Sequence, residues 1–289
     1  MKKLFRTIYI LPVLLFLTLG LNGCGGGGGG GGGSTAPTTS QGKFIDAAVE
    51  GITYTSGSIT GTTTADGTFE YEPGQTVTFS IGGITLGTIG GSATITPVQL
   101  VSGASDETDS RVINIVQFLL SIDDDNDPDN GIKITPAMTE AAVGLSLPSL
   151  SSPSFDTDAI SVINTIKDAA PTAGYIGVYD EVLAEEHLKN SLFSILAGTY
   201  SGNYIGDDTG DWTVTVAADG SVSGSGTTNF DGSAFSIAGS VNTSGTVSAS
   251  ASGSAGTASW AGIVTITSGA FSGSWSGSGE NGTFNGNKK

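Results

Sequence analysis

The sequence predicts a mainly β protein with an N-terminal β-sandwich module, a helical middle segment, and a C-terminal antiparallel up-and-down β-barrel or sandwich. Three patterns predict this fold class. Apolar and polar residues alternate over 42–101, apolar residues recur at helical spacing over 102–197, and eight short strand-like segments fill 198–289. Alternation is typical of half-buried strands, and many short strands with tight turns favour a closed barrel or two packed sheets.

Alternation is clearest in the middle of the first module. Val77, Phe79 and Ile81 point to one side of a predicted strand, and polar residues occupy the positions between them. Gly82-Gly83 then offers a two-residue hairpin turn. Earlier in the module, Asp66-Gly67 separates two further strand-like stretches.

The segment from Val49-Glu50-Gly51 through Asp66-Gly67-Thr68-Phe69-Glu70-Tyr71 resembles the prealbumin-like, carboxypeptidase-regulatory type of β-sandwich found in bacterial surface proteins. The resemblance covers about sixty residues. It implies a structural or adhesive unit without catalytic residues.

Helical periodicity begins after the first module. Over Asp109 to Ser121, four apolar residues recur at helical spacing, namely Val112, Ile115, Val116 and Leu119. Three further helices are predicted over 136–142, 158–169 and 178–197. We expect these helices to pack on the first module and to separate it from the C-terminal domain.

The C-terminal segment is rich in Gly, Ser, Thr and Ala and carries sparse aromatic residues. Its eight predicted strands are 199–205, 211–217, 221–227, 235–241, 246–252, 258–267, 269–276 and 282–286. Their antiparallel order and short turns predict the barrel or sandwich.

All three tryptophans lie in this segment, at Trp212, Trp260 and Trp275. Tyr200 and Tyr204 are on one side of their strand, because side chains two positions apart share a face. One interpretation is a core of a few large residues packed against many small ones. The other is a ligand cavity lined by the tryptophans, since small barrels can hold one molecule.

An acidic run at 123–131 follows the first predicted helix. It contains five carboxylates, those of Asp123, Asp124, Asp125, Asp127 and Asp129. Calcium prefers such oxygen ligands, and alternation at Asp123, Asp125 and Asp127, or at Asp125, Asp127 and Asp129, predicts a loop around one ion. The spacing departs from that of an EF-hand. The alternative is a solvated turn, in which Lys133 compensates for acids at a helix C-terminus.

An acidic cluster at 207–211 and the histidine at 187 are weaker candidates for a functional site. The cluster Asp207-Asp208-Thr209-Gly210-Asp211 has the composition of a solvated hairpin turn, with metal binding as the alternative. His187, the single histidine, follows two glutamates on a predicted helix and is interpreted as a surface or packing residue. No nucleophile elbow or zinc helix is present in the sequence, so we expect no enzymatic activity.

The N-terminus has the layout of an export signal. Lys2, Lys3 and Arg6 precede an apolar stretch, which ends in Leu21-Asn22-Gly23-Cys24. This tetrapeptide resembles the lipobox of bacterial lipoproteins, which implies a signal peptide over 1–23, acylation of Cys24, and a membrane anchor. Residues 24–41 are predicted to form a flexible, glycine-rich tether. Gly25 takes the place of the aspartate that retains enteric lipoproteins at the inner membrane, which favours the outer membrane.

Charge narrows the set of partners. The formal net charge is −17, and removal of residues 1–23 would take away three of the ten basic residues and none of the 27 acidic ones. Nucleic acid is therefore not an expected partner. The sequence predicts a lipid-anchored cell-envelope protein, non-enzymatic, that serves adhesion or surface structure through a glycan or protein. The alternatives are a small-ligand carrier that uses the C-terminal barrel and, less favoured, a carboxylate-dependent hydrolase of surface polymers.

Overall fold

The computed structural model describes residues 38–169, 177–254 and 256–289. Two regions follow each other along the chain, a mixed sheet-and-helix region and a closed barrel. The predicted fold class is confirmed: the protein is mainly β, with helices in the middle and an antiparallel barrel at the C-terminal end. The predicted signal peptide, Cys24 and most of the predicted tether lie outside the described residues.

The first region contains nine strands in three sheets. The strands are β1 Ser40–Phe44, β2 Val49–Glu50, β3 Thr53–Ser56, β4 Ile59–Thr62, β5 Thr68–Tyr71, β6 Thr76–Ile81, β7 Ile84–Gly90, β8 Thr94–Ile95 and β9 Ile132–Lys133. One sheet has the order β5-β1-β8, a second has the order β4-β3-β6-β7, and β2 pairs with β9 alone.

Aromatic side chains join the two larger sheets. The ring of Phe79 on β6 lies 4.8 Å from that of Phe44 on β1 and 5.1 Å from that of Phe69 on β5. Val77, Phe79 and Ile81 are all fully buried, as their alternation predicts. The turn at Gly82 joins β6 to β7 with a positive φ of 57° that glycine adopts readily. In contrast, the strands on either side of Asp66-Gly67 belong to different sheets.

Five helices complete the first region, together with a short 3-10 turn at Pro128–Asn130. They are α1 Pro97–Leu100, α2 Ser110–Ser121, α3 Pro136–Ala141, α4 Phe155–Lys167 and α5 Glu181–Leu196. α2 is the central helix, because its residues from Val112 to Ser121 are all buried. Helices and sheets share one hydrophobic core. The pairing of β2 with β9 adds a backbone connection between the sheets and the helical segment.

The barrel consists of eight antiparallel strands, each paired with its neighbours along the chain, and the last pairs with the first. The strands are β10 Gly198–Gly206, β11 Gly210–Val216, β12 Ser221–Thr228, β13 Ala234–Val241, β14 Thr246–Gly253, β15 Gly256–Val264, β16 Ala270–Gly277 and β17 Glu280–Lys288. The choice between barrel and sandwich is thus settled in favour of the barrel. The largest boundary difference is at β15, which ends at Val264 because Thr265 starts the turn into β16.

Candidate functional site

The interior of the barrel is formed by every second residue of each strand. On β11, Trp212, Val214 and Val216 are buried, whereas Thr213 and Thr215 between them are exposed. The interior is closed at one end by the last turn of α5, where Leu196 is fully buried in the barrel core. The Tyr200 hydroxyl donates a 2.7 Å hydrogen bond to the Leu196 carbonyl oxygen, which satisfies an unpaired group at the helix end.

Aromatic rings fill the barrel from this closed end to the other. Near the middle, the rings of Trp260 and Phe284 stack with centroids 4.6 Å apart. Trp212 packs against Phe271 at 5.2 Å and against Phe284 at 5.8 Å. An eight-stranded barrel has an interior just wide enough to be filled by side chains, and here a few rings occupy it.

Glycines opposite the rings make this packing possible. A Cβ atom placed on Gly286 would lie 2.6 Å from the ring of Trp212, and one on Gly273 would lie 2.7 Å from the ring of Phe284. Both distances are shorter than any ordinary contact between carbon atoms. Several glycines of this segment are therefore required by the packing of the aromatic core.

The end of the barrel away from α5 is open. A recess of about 120 Å³ lies there, and we call it the barrel mouth. Four aromatic residues line it, namely Tyr204, Phe235, Trp260 and Trp275, together with Asp208 and Glu280. The turns that join β10 to β11, β12 to β13 and β16 to β17 are at this end.

The Tyr204 hydroxyl positions an acidic side chain at the barrel mouth. It donates a 3.0 Å hydrogen bond to Oδ2 of Asp208, whose Oδ1 accepts from the backbone N–H of Thr209 at 2.7 Å. Burial raises the pKa of Tyr204 well above its ordinary value, and the hydrogen bond to Asp208 acts in the same direction. Tyr204 therefore stays protonated and holds the carboxylate of Asp208 in place.

The structure brings two of the three tryptophans proposed as ligand-binding residues together at the mouth. Trp260 and Trp275 line the recess. Trp212 lies deeper in the core, 2% exposed, and no described residue accepts a hydrogen bond from its indole N–H. The sequence prediction missed Phe235 and Glu280 as mouth residues. In an up-and-down barrel every second turn lies at the same end, and Phe235 and Glu280 each lie next to such a turn. Their positions in the sequence could therefore have placed them at the mouth.

The predicted calcium loop is arranged around a lysine. Asp123 is fully buried, and its Oδ1 accepts a 2.8 Å hydrogen bond from the backbone N–H of Lys133. The Lys167 ammonium, at the end of α4, donates to the main-chain oxygen of Asp123 and, at 2.9 Å, to Oδ1 of Asn126. Burial raises the pKa of Asp123 and lowers that of Lys167. Lys133, the cation that the sequence suggested for this loop, lies 3.9 Å from Asp124. The contact of Lys167 with the loop was not predicted.

Among the remaining acids of the loop, Asp125 is next to Asp123, and their carboxyl groups share a hydrogen bond. Asp125 accepts hydrogen bonds from the backbone N–H of Asp127 at 3.0 Å and from Asn130 Nδ2 at 2.9 Å. Asp127 precedes the 3-10 turn, and Asp129 lies on that turn and faces a separate cleft. Among the residues that the structure describes, no three Asp, Glu, His or Cys side chains are grouped so as to hold a metal ion.

The second acidic cluster is at the barrel mouth. Asp207 Oδ2 accepts hydrogen bonds from the backbone and side-chain nitrogens of Asn281, at 3.0 and 3.1 Å. Asp211 accepts from Asn203 Nδ2 at 2.5 Å. The hairpin is thus held by hydrogen bonds to its own barrel strands.

His187 is a packing residue at the boundary between the two regions. Its side chain is 13% exposed, and its Nε2 lies 3.5 Å from Oδ1 of Asp46, which is fully buried. Burial raises the pKa of Asp46 to about 6, against the opposing charge of His187. A cleft of about 720 Å³ adjoins this pair and is lined by residues of both regions, among them Lys43, His187 and Lys288.

The sequence matches no protein-family model, and no curated protein is significantly similar to it. Within the described residues, none of the helices has the length and apolar character needed to span a bilayer.

Proposed function

We propose that this chain is a lipid-anchored protein of the bacterial cell envelope, in the outer membrane, that serves adhesion or surface structure without catalysis. The proposed anchor is the acylated Cys24, and the partner is a surface glycan or protein. The observation that carries the proposal is the packed barrel: aromatic rings fill its interior, and the alternate residues of its strands form an outer face of small polar side chains. Such a barrel offers its outer surface and its mouth for binding.

Metabolic labelling with tritiated palmitate tests the anchor. The parent should incorporate label and sediment with outer-membrane vesicles, and Cys24→Ser should do neither, because the thioether requires the thiol. Ser34→Ala, in the proposed tether, is the matched control and should behave as the parent does. Equal labelling of the parent and Cys24→Ser would contradict the anchor.

Protease treatment of intact cells tests surface exposure. An anchored surface protein should lose the barrel to added protease while a periplasmic marker stays intact. Protection of the barrel until the outer membrane is permeabilised would contradict a role in adhesion and would place the protein in the periplasm.

A second candidate function is the carriage of a small ligand by the barrel. The barrel mouth favours it, because it is an open recess of about 120 Å³ with four aromatic walls at the end of an otherwise filled barrel. Tryptophan emission of the full chain reports on this site, since all three tryptophans are in the barrel. A saturable change in tryptophan emission during titration with small-molecule pools would support a carrier. Constant emission would contradict it.

A further inference from the structure

We propose that the barrel mouth binds a small organic cation, of the quaternary or methylated ammonium class. The inference rests on the second function proposed above, ligand carriage by the barrel, and specifies its ligand. Three independent features of the mouth carry it: the arrangement of the aromatic rings, the distribution of charge along the barrel, and the size of the recess.

The rings form a cluster around Tyr204. Its centroid lies 5.7 Å from that of Phe235, 5.8 Å from that of Trp260 and 5.7 Å from that of Trp275. The planes of these three rings are inclined to the Tyr204 ring by 75°, 68° and 86°, respectively. These pairs pack edge to face, and all four rings line the recess. Ring faces carry negative potential and attract cations, most strongly in tryptophan.

Charge is segregated along the barrel axis. Segment 198–289 has six acidic residues, and five of them are at the mouth end: Asp207, Asp208, Asp211, Asp231 and Glu280. The segment's two basic residues, Lys288 and Lys289, are at the end of β17 on the opposite side, where Lys288 Nζ donates to the Ile195 carbonyl oxygen at 2.6 Å. A recess ringed by one sign of charge concentrates ligands of the opposite sign.

Two of these acidic residues line the recess itself, Asp208 and Glu280. Asp208 is held by the Tyr204 hydroxyl, so its charge has a defined position at the rim. A cation in the recess would therefore contact aromatic faces and lie beside fixed negative charge. A neutral ligand would gain only the first of these interactions.

The volume selects a compact ligand. About 120 Å³ is room for several water molecules, and a group as compact as a trimethylammonium head fits in it. The recess is also far below the several hundred Å³ typical of sites for drug-sized molecules.

The test compares choline with its neutral isostere 3,3-dimethyl-1-butanol, by tryptophan emission and calorimetry on the full chain. Choline should bind saturably and at least tenfold more tightly than the isostere, and its affinity should fall as salt is added. Equal or tighter binding of the isostere would overturn the cation assignment and leave the carrier function standing. Absence of binding by both compounds, and by the small-molecule pools, would overturn both.

Charge variants locate the site. Glu280→Gln and Asp208→Asn should each weaken choline binding about fivefold, the effect of one unit charge at about 4 Å in water. Glu280 is exposed, so its variant should fold even if Asp208→Asn disturbs the hydrogen bond from Tyr204. Asp219→Asn is the matched control, because Asp219 lies in the turn between β11 and β12 at the opposite end, and it should leave affinity unchanged. Equal loss in Glu280→Gln and Asp219→Asn would contradict binding at the mouth.

Discussion

His187 Nε2 lies 3.5 Å from Oδ1 of Asp46, a carboxylate with no exposed surface. Neither oxygen of Asp46 has a hydrogen-bond partner among the described residues. The contact joins α5 to the segment that follows β1, next to the cleft between the two regions of the protein. A buried charge with so few partners makes stability sensitive to its protonation.

Asp46 should make the protein less stable as the pH rises from about 4 to about 6. Its folded-state pKa, about 6, is above the ordinary value of 3.8, so in this range the folded chain holds a proton that the unfolded chain has lost. Relative to Asp46→Asn, the parent's free energy of unfolding should fall by about 2–3 kcal/mol between pH 4 and pH 7. Urea unfolding at several pH values measures this. His187→Gln is the companion variant and should enlarge this loss of stability, because the charge of His187 lowers the pKa of Asp46. A difference in stability between the parent and Asp46→Asn that does not change with pH would contradict the raised pKa of Asp46.

Lys167 should be needed for the stability of the Asp-rich loop. Lys167→Met removes the ammonium that donates to the Asp123 carbonyl oxygen and to Asn126, so each of these groups loses a charged donor. We expect a loss of about 2–3 kcal/mol in the free energy of unfolding. Lys189→Met, an exposed lysine on α5, is the control and should change it by less than about 0.5 kcal/mol. Similar effects of the two changes would show that Lys167 contributes no more than a surface lysine.

Calcium binding by the loop stays a prediction, and thermal unfolding tests it. Calcium should raise the Tm of the parent over that in chelator, because a ligand that binds only the folded state stabilises it. The double variant Asp125→Ala/Asp127→Ala should lose this rise, and Asp219→Ala/Asp231→Ala, outside the loop, should keep it. An identical Tm of the parent with calcium and with chelator would refute calcium binding and leave Lys167 as the cation of the loop.

Gly273→Ala should destabilise the barrel. The added methyl group would lie 2.7 Å from the ring of Phe284 and would also overlap the main chain of β15. Such overpacking lowers the free energy of unfolding by about 1–3 kcal/mol. Gly90→Ala on β7 is the matched control, because its added methyl group meets no atom within 4 Å. Chemical unfolding measures both, and a Gly273→Ala variant as stable as Gly90→Ala would contradict the packing of the aromatic core.

The sequence alone determined the strands and helices, because their signals are local. Alternation on β6 and β11 and the helical spacing in α2 depend only on residues a few positions apart, and turns at glycine and aspartate mark where elements end. These patterns predicted all eight barrel strands and the shared face of Tyr200 and Tyr204. The two-residue strand β9 and the four-residue helix α1 were missed, since elements this short show no periodicity.

Only the tertiary structure decided which groups meet. Lys167 reaches the acidic loop and His187 reaches Asp46 across long separations in sequence, and nothing local to either residue identifies its partner. The pairing of β10 with β17, which closes the barrel, is also a contact between distant parts of the sequence. It depends on the register of every strand between them. Closure also sets the depth of the three tryptophans: Trp260 and Trp275 line the mouth, and Trp212 lies below it with its ring 6.3 Å from that of Trp260. Sequence periodicity shows which face a side chain takes, whereas the depth of that side chain in the barrel is a property of the assembled strands.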